Sequence, residues 1–405
     1  LIDGGSGNIT ITTSANLTLD SAGDETANIL TTGTGTIDLN AGEAIFMTEG
    51  DTVGAGSGDI RIEAVDNLTL SFVSTTGDVG LVSTSGSILD NADSDPDVTA
   101  TGLALSAAGD IGSTTNPIET TVTTLSAFAD GANGVFLSES NELDINQVVA
   151  SVNRMGTDAL VMSTETTDLS DVETSNNGSI VLSTGGDLTL SDGDEDQFVV
   201  TAATTGNILI DSSGTLTLLG AVQTDTGHIS ILSGGAMEIG SELVTTADIS
   251  SDSGTIELES QTSLSLFNGN AVSTGDANIR IDAEDALTVS MISAGIGSVS
   301  LEGESVADSG DTDTDVSAGS LRLVATSPIG SLGAPDNPLE IDVETLAAQT
   351  GSGGIFITET GDLVIDTVST LFVNRVGPDG SAAPGVSLSA LEDLNASGTI
   401  LLQTL

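Results

Sequence analysis

The sequence predicts an all-β fold, a right-handed parallel β-helix (solenoid) of about sixteen rungs, on three observations. Apolar residues alternate with polar ones in pairs such as Ile60/Ile62 and Leu68/Leu70, and a period of two marks a strand rather than a helix. The two-pair frame recurs along the chain with a short gap of Gly, Asp, Asn and small residues between the pairs: Ile37/Leu39 leads to Ile45/Met47, Ile208/Ile210 to Leu216/Leu218, Ile256/Leu258 to Leu264/Leu266. Finally, the chain has 8 Phe and neither Trp nor Tyr. A core without large rings suits many thin layers of Ile, Leu and Val better than one thick globular centre.

Taken in order, the frame starts at Ile9/Ile11 with Leu17/Leu19 and is still present at Ile355/Ile357 with Leu363/Ile365. Frame-to-frame distances of roughly 20 to 27 residues fall in the range of a solenoid rung. The near-constant gap argues for a corner repeated once per turn, where a hairpin would favour a two-residue Asn-Gly type of loop. A stack of this kind grows by adding turns, so 405 residues need not mean several globular domains. The expectation is one continuous β-helix over residues 1–405.

A longer repeat lies above the rungs. Gly7-Asn-Ile-Thr-Ile11 returns as Gly227-His-Ile-Ser-Ile231, and Ile60-Arg-Ile62 as Ile279-Arg-Ile281. Ile111-Gly-Ser113 with Asn116-Pro-Ile-Glu119 returns as Ile329-Gly-Ser331 with Asn337-Pro-Leu-Glu340, and Val152-Asn-Arg154 as Val373-Asn-Arg375. The offset stays near about 220 residues, a long period laid over the short one. Residues 7–226 therefore read as one long repeat and 227–405 as a second, incomplete one. With Leu1 at its start and a rung interrupted at Leu405, the chain reads as a piece of a longer parent.

The Gly-[Asp/Asn/Ser/Thr]-Ile-x-[Ile/Leu] frame followed by Leu-x-Leu resembles the repeat regions of filamentous haemagglutinin-like exoproteins, and the two Ile-Gly-Ser…Asn-Pro-[Ile/Leu]-Glu segments are similar to segments between rungs in such chains. The resemblance covers nearly the whole sequence; the amino-terminal secretion domain of that family is not in evidence. It implies a right-handed β-helix, export from a bacterium to the surface or exterior, and an adhesive or structural role.

Charge narrows the partners. There are 60 acidic residues against 5 basic ones, a net charge of -55, and every basic residue is an arginine: Arg61, Arg154, Arg280, Arg322 and Arg375. Such a surface repels nucleic acid and anionic membranes and attracts divalent cations. No apolar run reaches membrane-spanning length. There is no Cys, hence neither a disulfide framework nor thiol chemistry.

Three acidic loops are the candidate metal sites: Asp93, Asp95 and Asp97; Asp311, Asp313 and Asp315 at the equivalent place in the second long repeat; and Asp192, Asp194 and Asp196. Alternating carboxylates on one loop can converge on calcium, as at the start of an EF-hand loop. The arginines are expected to neutralise carboxylates on their own sheet face, Arg61 beside Glu63 and Arg280 beside Asp282. His228, the sole histidine, is expected at the surface without a catalytic role.

The function expected is that of an extracellular structural or adhesive rod, part of a secreted fibre, surface adhesin or matrix filament, with calcium as its expected ligand. Its expected partners are copies of itself, a longer parent chain, or a cell-surface or polysaccharide ligand. The alternative is a β-helical polysaccharide lyase or hydrolase. Against it, the chain lacks the Lys that serves as a lyase base and the Trp and Tyr on which sugars stack.

Overall fold

The computed structural model describes residues 1–20, 28–92, 95–331 and 337–404. Among these there is no helix, and so none long and apolar enough to cross a membrane. The chain makes about 15 turns of right-handed parallel β-solenoid. They are divided between two compact units, Leu1–Asp187 with Ser191–Ala203, and Leu188–Leu190 with Thr204–Leu405.

In the first unit a turn consists of three short strands, for example Ile60–Ala64, Leu68–Leu70 and Phe72–Ser74. Each lies parallel to its counterpart one turn away, so that like residues stack. Ile37 pairs with Ile60, Ile60 with Val79, Val79 with Leu103 and Leu103 with Leu125. All five are fully buried. A second column runs Leu17, Ile45, Leu68, Ile88. The second unit repeats the construction: Ile208, Ile229, Ile256, Ile279, Val299, Leu321 and Leu346 form one continuous column. Each aliphatic side chain so buried stabilises by about 1.5–3 kcal/mol, and the stacking makes that gain repeat every turn.

At Gly58 and Gly254, each two residues before an Ile-x-Ile or Ile-x-Leu pair, the stacking itself requires a glycine. A Cβ at Gly58 would lie 2.2 Å from the carbonyl oxygen of Gly35, and one at Gly254 1.7 Å from that of Gly227. A buried hydroxyl closes the same corner: Thr75 Oγ1 donates to the Gly58 carbonyl at 2.7 Å and Ser251 Oγ to that of Gly227 at 2.8 Å.

Among the described residues two segments leave the coil. Val148–Met155 and Val161–Leu169 form an antiparallel hairpin, as do Leu371–Val376 and Ala382–Leu388. The first lies across the outer face of its own unit, over strands from Ile9–Thr13 to Thr124–Ala129. The second lies over Ile229–Ser233 and Ile256–Ser260 of its unit. Alternating apolar residues serve a hairpin docked on a sheet as well as they serve a rung, so periodicity alone does not separate the two.

Candidate metal centres

Carboxylates converge at three places among the described residues: Asp90, Asp97 and Glu119; Asp308, Asp315 and Glu340; and Asp171, Asp194 and Asp196. In each group one oxygen from every member lies within 4.8 Å of the others.

The first group spans neighbouring turns. Asp90 ends the strand Ile88–Asp90, Asp97 directly precedes Val98–Thr99, and Glu119 lies in Ile118–Thr121. Parallel pairing locks two of them together: the Asp97 amide donates to the Glu119 carbonyl at 2.8 Å and the Glu119 amide to Asp97 Oδ2 at 2.9 Å. Asp97 is 1% exposed and Asp90 8%. Burial, with the charges of Asp90 and Glu119 added and the Glu119 amide opposing, pushes the Asp97 carboxyl up to about 9. Asp90 faces Asp97, a contact that is a hydrogen bond only while one of the two carries a proton.

The second group reproduces the first. Asp308 ends Ser305–Asp308, Asp315 precedes Val316, and Glu340 lies in Leu339–Thr350. The Asp315 amide donates to the Glu340 carbonyl at 2.8 Å, and the Glu340 amide to Asp315 Oδ2 at 2.9 Å. Burial again raises Asp315 to about 9 and Glu340 to about 7, with Asp308 adding to both. Asp308 Oδ1 accepts from the Gly310 amide at 3.0 Å. The third group differs: Asp171 is buried and raised to about 6 by that burial, but Asp194 and Asp196 are exposed. Those two are engaged within their loop, Asp194 accepting from the Asp196 amide at 3.2 Å and Asp196 from the Phe198 amide at 2.8 Å.

Of the residues singled out in the sequence, Asp97, Asp315, Asp194 and Asp196 therefore sit in converging groups. Asp93 lies outside the described residues. Asp95 and Asp313 are exposed and join no group. Asp311 accepts from the Asp313 amide at 2.6 Å and Asp192 from the Gln197 amide at 2.8 Å; neither joins a group. Of the described members of the alternating Asp runs, only Asp194 and Asp196 share a group; Asp97 and Asp315 each meet carboxylates from outside their own run. Stacked turns are about 4.8 Å apart, so Asp97 and Asp315 each meet a carboxylate of the neighbouring turn, Glu119 and Glu340 respectively. Asp90, Glu119, Asp308 and Glu340 complete the groups instead. A sequence signal for two of them exists: Glu119 and Glu340 close the recurring Asn-Pro-[Ile/Leu]-Glu segments.

The hairpins use the scarce arginines. Arg154 Nε donates to Asp38 Oδ2 at 2.7 Å and Nη2 to Oδ1 at 3.1 Å. Asp38 points outward from the strand Ile37–Ala41 yet is fully buried, because the hairpin covers it. The Asn153 amide donates to Thr36 Oγ1 at 3.0 Å and the Met155 amide to Thr10 Oγ1 at 2.9 Å. In the second unit Arg375 Nε donates to Glu257 Oε2 at 2.8 Å and Nη2 to Oε1 at 2.7 Å, the Asn374 amide to Thr255 Oγ1 at 2.9 Å, and the Val376 amide to Ser230 Oγ at 2.9 Å. Arg61 and Arg280 stack one turn from these buried acids, and they also meet Glu63 at 2.5 Å and Asp282, the neighbours expected from the sequence. His228, expected at the surface, is half-buried where the second hairpin docks and bonded to Thr255 and Asn374.

Comparison with models of protein families, with curated proteins and with solved structures found no match.

Proposed function

We propose that this chain is a structural or adhesive β-solenoid segment of a bacterial extracellular fibre or surface adhesin, in keeping with its resemblance to filamentous haemagglutinin-like exoproteins. The observation that carries this reading is the duplication of whole structural devices. A docked hairpin with its Arg–carboxylate anchor and a buried three-carboxylate group occur once in each unit. Repetition of load-transmitting and stiffening features serves reach and multivalent attachment, whereas one cleft suffices for an enzyme. The partners that fit are further copies of the chain, a longer parent, or a neutral or cationic surface ligand, since a charge of -55 opposes polyanions.

Electron microscopy of the purified chain, run beside a digest of neutral and acidic polysaccharides, tests this against the enzymatic alternative. Elongated particles or fibres with no new sugar ends are expected. Steady release of reducing or unsaturated sugar ends would overturn the proposal in favour of a glycan-cleaving enzyme.

A further inference from the structure

We propose that the Asp90–Asp97–Glu119 and Asp308–Asp315–Glu340 groups are a matched pair of divalent-cation sites, each taking one calcium ion between consecutive turns of the solenoid. The inference does not depend on the adhesive reading; it follows from an accounting of charge. Each group carries three carboxyl groups whose oxygens lie within 4.8 Å of one another. In each, a side chain more than nine-tenths buried holds at least one carboxyl oxygen that receives no hydrogen bond. Asp90 is 8% exposed and neither of its oxygens receives a hydrogen bond; Asp308 is 5% exposed and its Oδ2 receives none. Both amide atoms of Asn91, next to Asp90, are likewise buried and unpartnered.

No cation of the chain itself is available to them. The only cationic side chains are the five arginines and His228. The arginines pair with Asp38, Glu63, Glu165, Glu257, Glu259, Asp282 and Glu302, none of which belongs to either group. His228 is engaged with Thr255 and Asn374. Buried carboxylates without a partner are strongly destabilising, so what neutralises them must come from solution. An all-oxygen set with no His or Cys selects a hard ion. Calcium suits an irregular set drawn from three chain segments, whereas magnesium demands a near-ideal octahedron and dehydrates reluctantly. Beside the second group lies a groove of about 620 Å³ lined by Asp308, Ser309, Gly310, Asp311, Ser331 and Asn337. The Asp171 group is not included, because two of its members are exposed and bonded within their loop.

The test is calorimetric titration of the chelator-treated full chain with calcium at near-physiological salt, about 0.15 M, which screens loose binding to the acidic surface. Saturable binding at two sites and a rise in Tm are expected, with much weaker binding of magnesium. Asp97→Asn and Asp315→Asn should each remove one site and the double variant both, while Asp313→Asn removes none. Should an aspartate variant fail to fold, Glu119→Gln and Glu340→Gln, at half-buried positions, read the same loss. Absence of saturable binding, or sites that persist in all these variants, would overturn the proposal and leave shared protons as what neutralises the two groups.

Discussion

The two docked hairpins are built on one plan and finished differently. Both place an arginine two-pronged on a buried acid and bind the two flanking amides to hydroxyls of the sheet below. The first hairpin anchors on Asp38, where Arg154 also lies 3.5 Å from Glu165 of its own second strand. The second anchors on Glu257, and there Arg375 and Arg280 both reach Glu259 as well. Beyond the anchors, the first tip exposes Leu160, Val161 and Met162, while the second turns through Gly377, Pro378, Asp379 and Gly380. What the two share is thus the docking chemistry, and what varies is the tip. In a chain with 60 acids and 5 arginines, the placement of four arginines at or beside these anchors shows where positive charge matters most: holding a hairpin against a like-charged sheet.

The largest expected effect breaks the anchor. Asp38→Asn removes the two-pronged partner of Arg154, leaving it Glu165 at 3.5 Å, and leaves Arg61 with Glu63 alone; breaking a buried pair from one side costs about 3–5 kcal/mol. Glu257→Gln should cost less, because Glu259 remains within reach of both Arg280 and Arg375. Urea unfolding with hydrogen exchange resolved by residue separates the two: Asn153 and Met155 should lose protection in the first variant, Asn374 and Val376 in the second. Equal losses in the two units would remove Glu259 as the source of the difference.

How much of this was legible beforehand follows from which neighbours a sequence shows. Inward columns such as Ile37–Ile60–Val79 repeat a pattern of period two, and that pattern is set by the strand, so it reads directly. The hairpins do not: Val148, Ala150 and Val152 alternate as a rung would, but face the sheet from outside. The recurrence of Val-Asn-Arg at 152–154 and 373–375, in a chain so poor in cations, was their visible trace. The carboxylate groups were half legible. Asp97 and Asp315 stood out within acidic runs, but Asp90, Glu119, Asp308 and Glu340 join them only up the stack. One-dimensional proximity cannot anticipate a ladder that pairs Val98 with Thr120 and Ile341 with Val316.

A smaller change sharpens the comparison by keeping the anchor's charge and removing its geometry. Arg154→Lys and Arg375→Lys replace two parallel donors by one point charge. Losing one charged hydrogen bond costs about 1.5–3 kcal/mol, less where solvent screens it. Arg375, whose side chain is 36% exposed against 20% for Arg154, should show the smaller loss of denaturant midpoint. A larger loss at Arg375 would mean that its additional contact with Glu259 outweighs its exposure.

The smallest effect is expected at His228, which has Asn8 as its counterpart in the first unit. The Thr255 amide donates to His228 Nδ1 at 2.9 Å, and an amide can only donate, so Nδ1 is the acceptor and the ring proton sits on Nε2. Nε2 lies 2.9 Å from the side-chain amide of Asn374, which satisfies the ring when its oxygen faces that proton. Protonating Nδ1 would set two donors against each other, and burial already lowers the pKa of the ring. The sign follows: below the unfolded value of about 6.5 the unfolded chain takes up a proton that the folded chain resists. Stability contributed at this site is therefore full above that value and is lost as pH falls toward the lowered folded one. Glu257, Glu259, Arg280 and Arg375 lie at the same docking surface, and the first hairpin has the corresponding Arg–carboxylate contacts without a histidine, so comparing the two hairpins isolates the imidazole. Protection of the Asn374 and Val376 amides should fall across that pH range by well under about 1 kcal/mol, the worth of one partly screened hydrogen bond, while Asn153 and Met155 stay level. His228→Asn should flatten the second hairpin to match the first. A parallel decline at both hairpins would assign the pH response to the carboxylates common to them and not to the histidine.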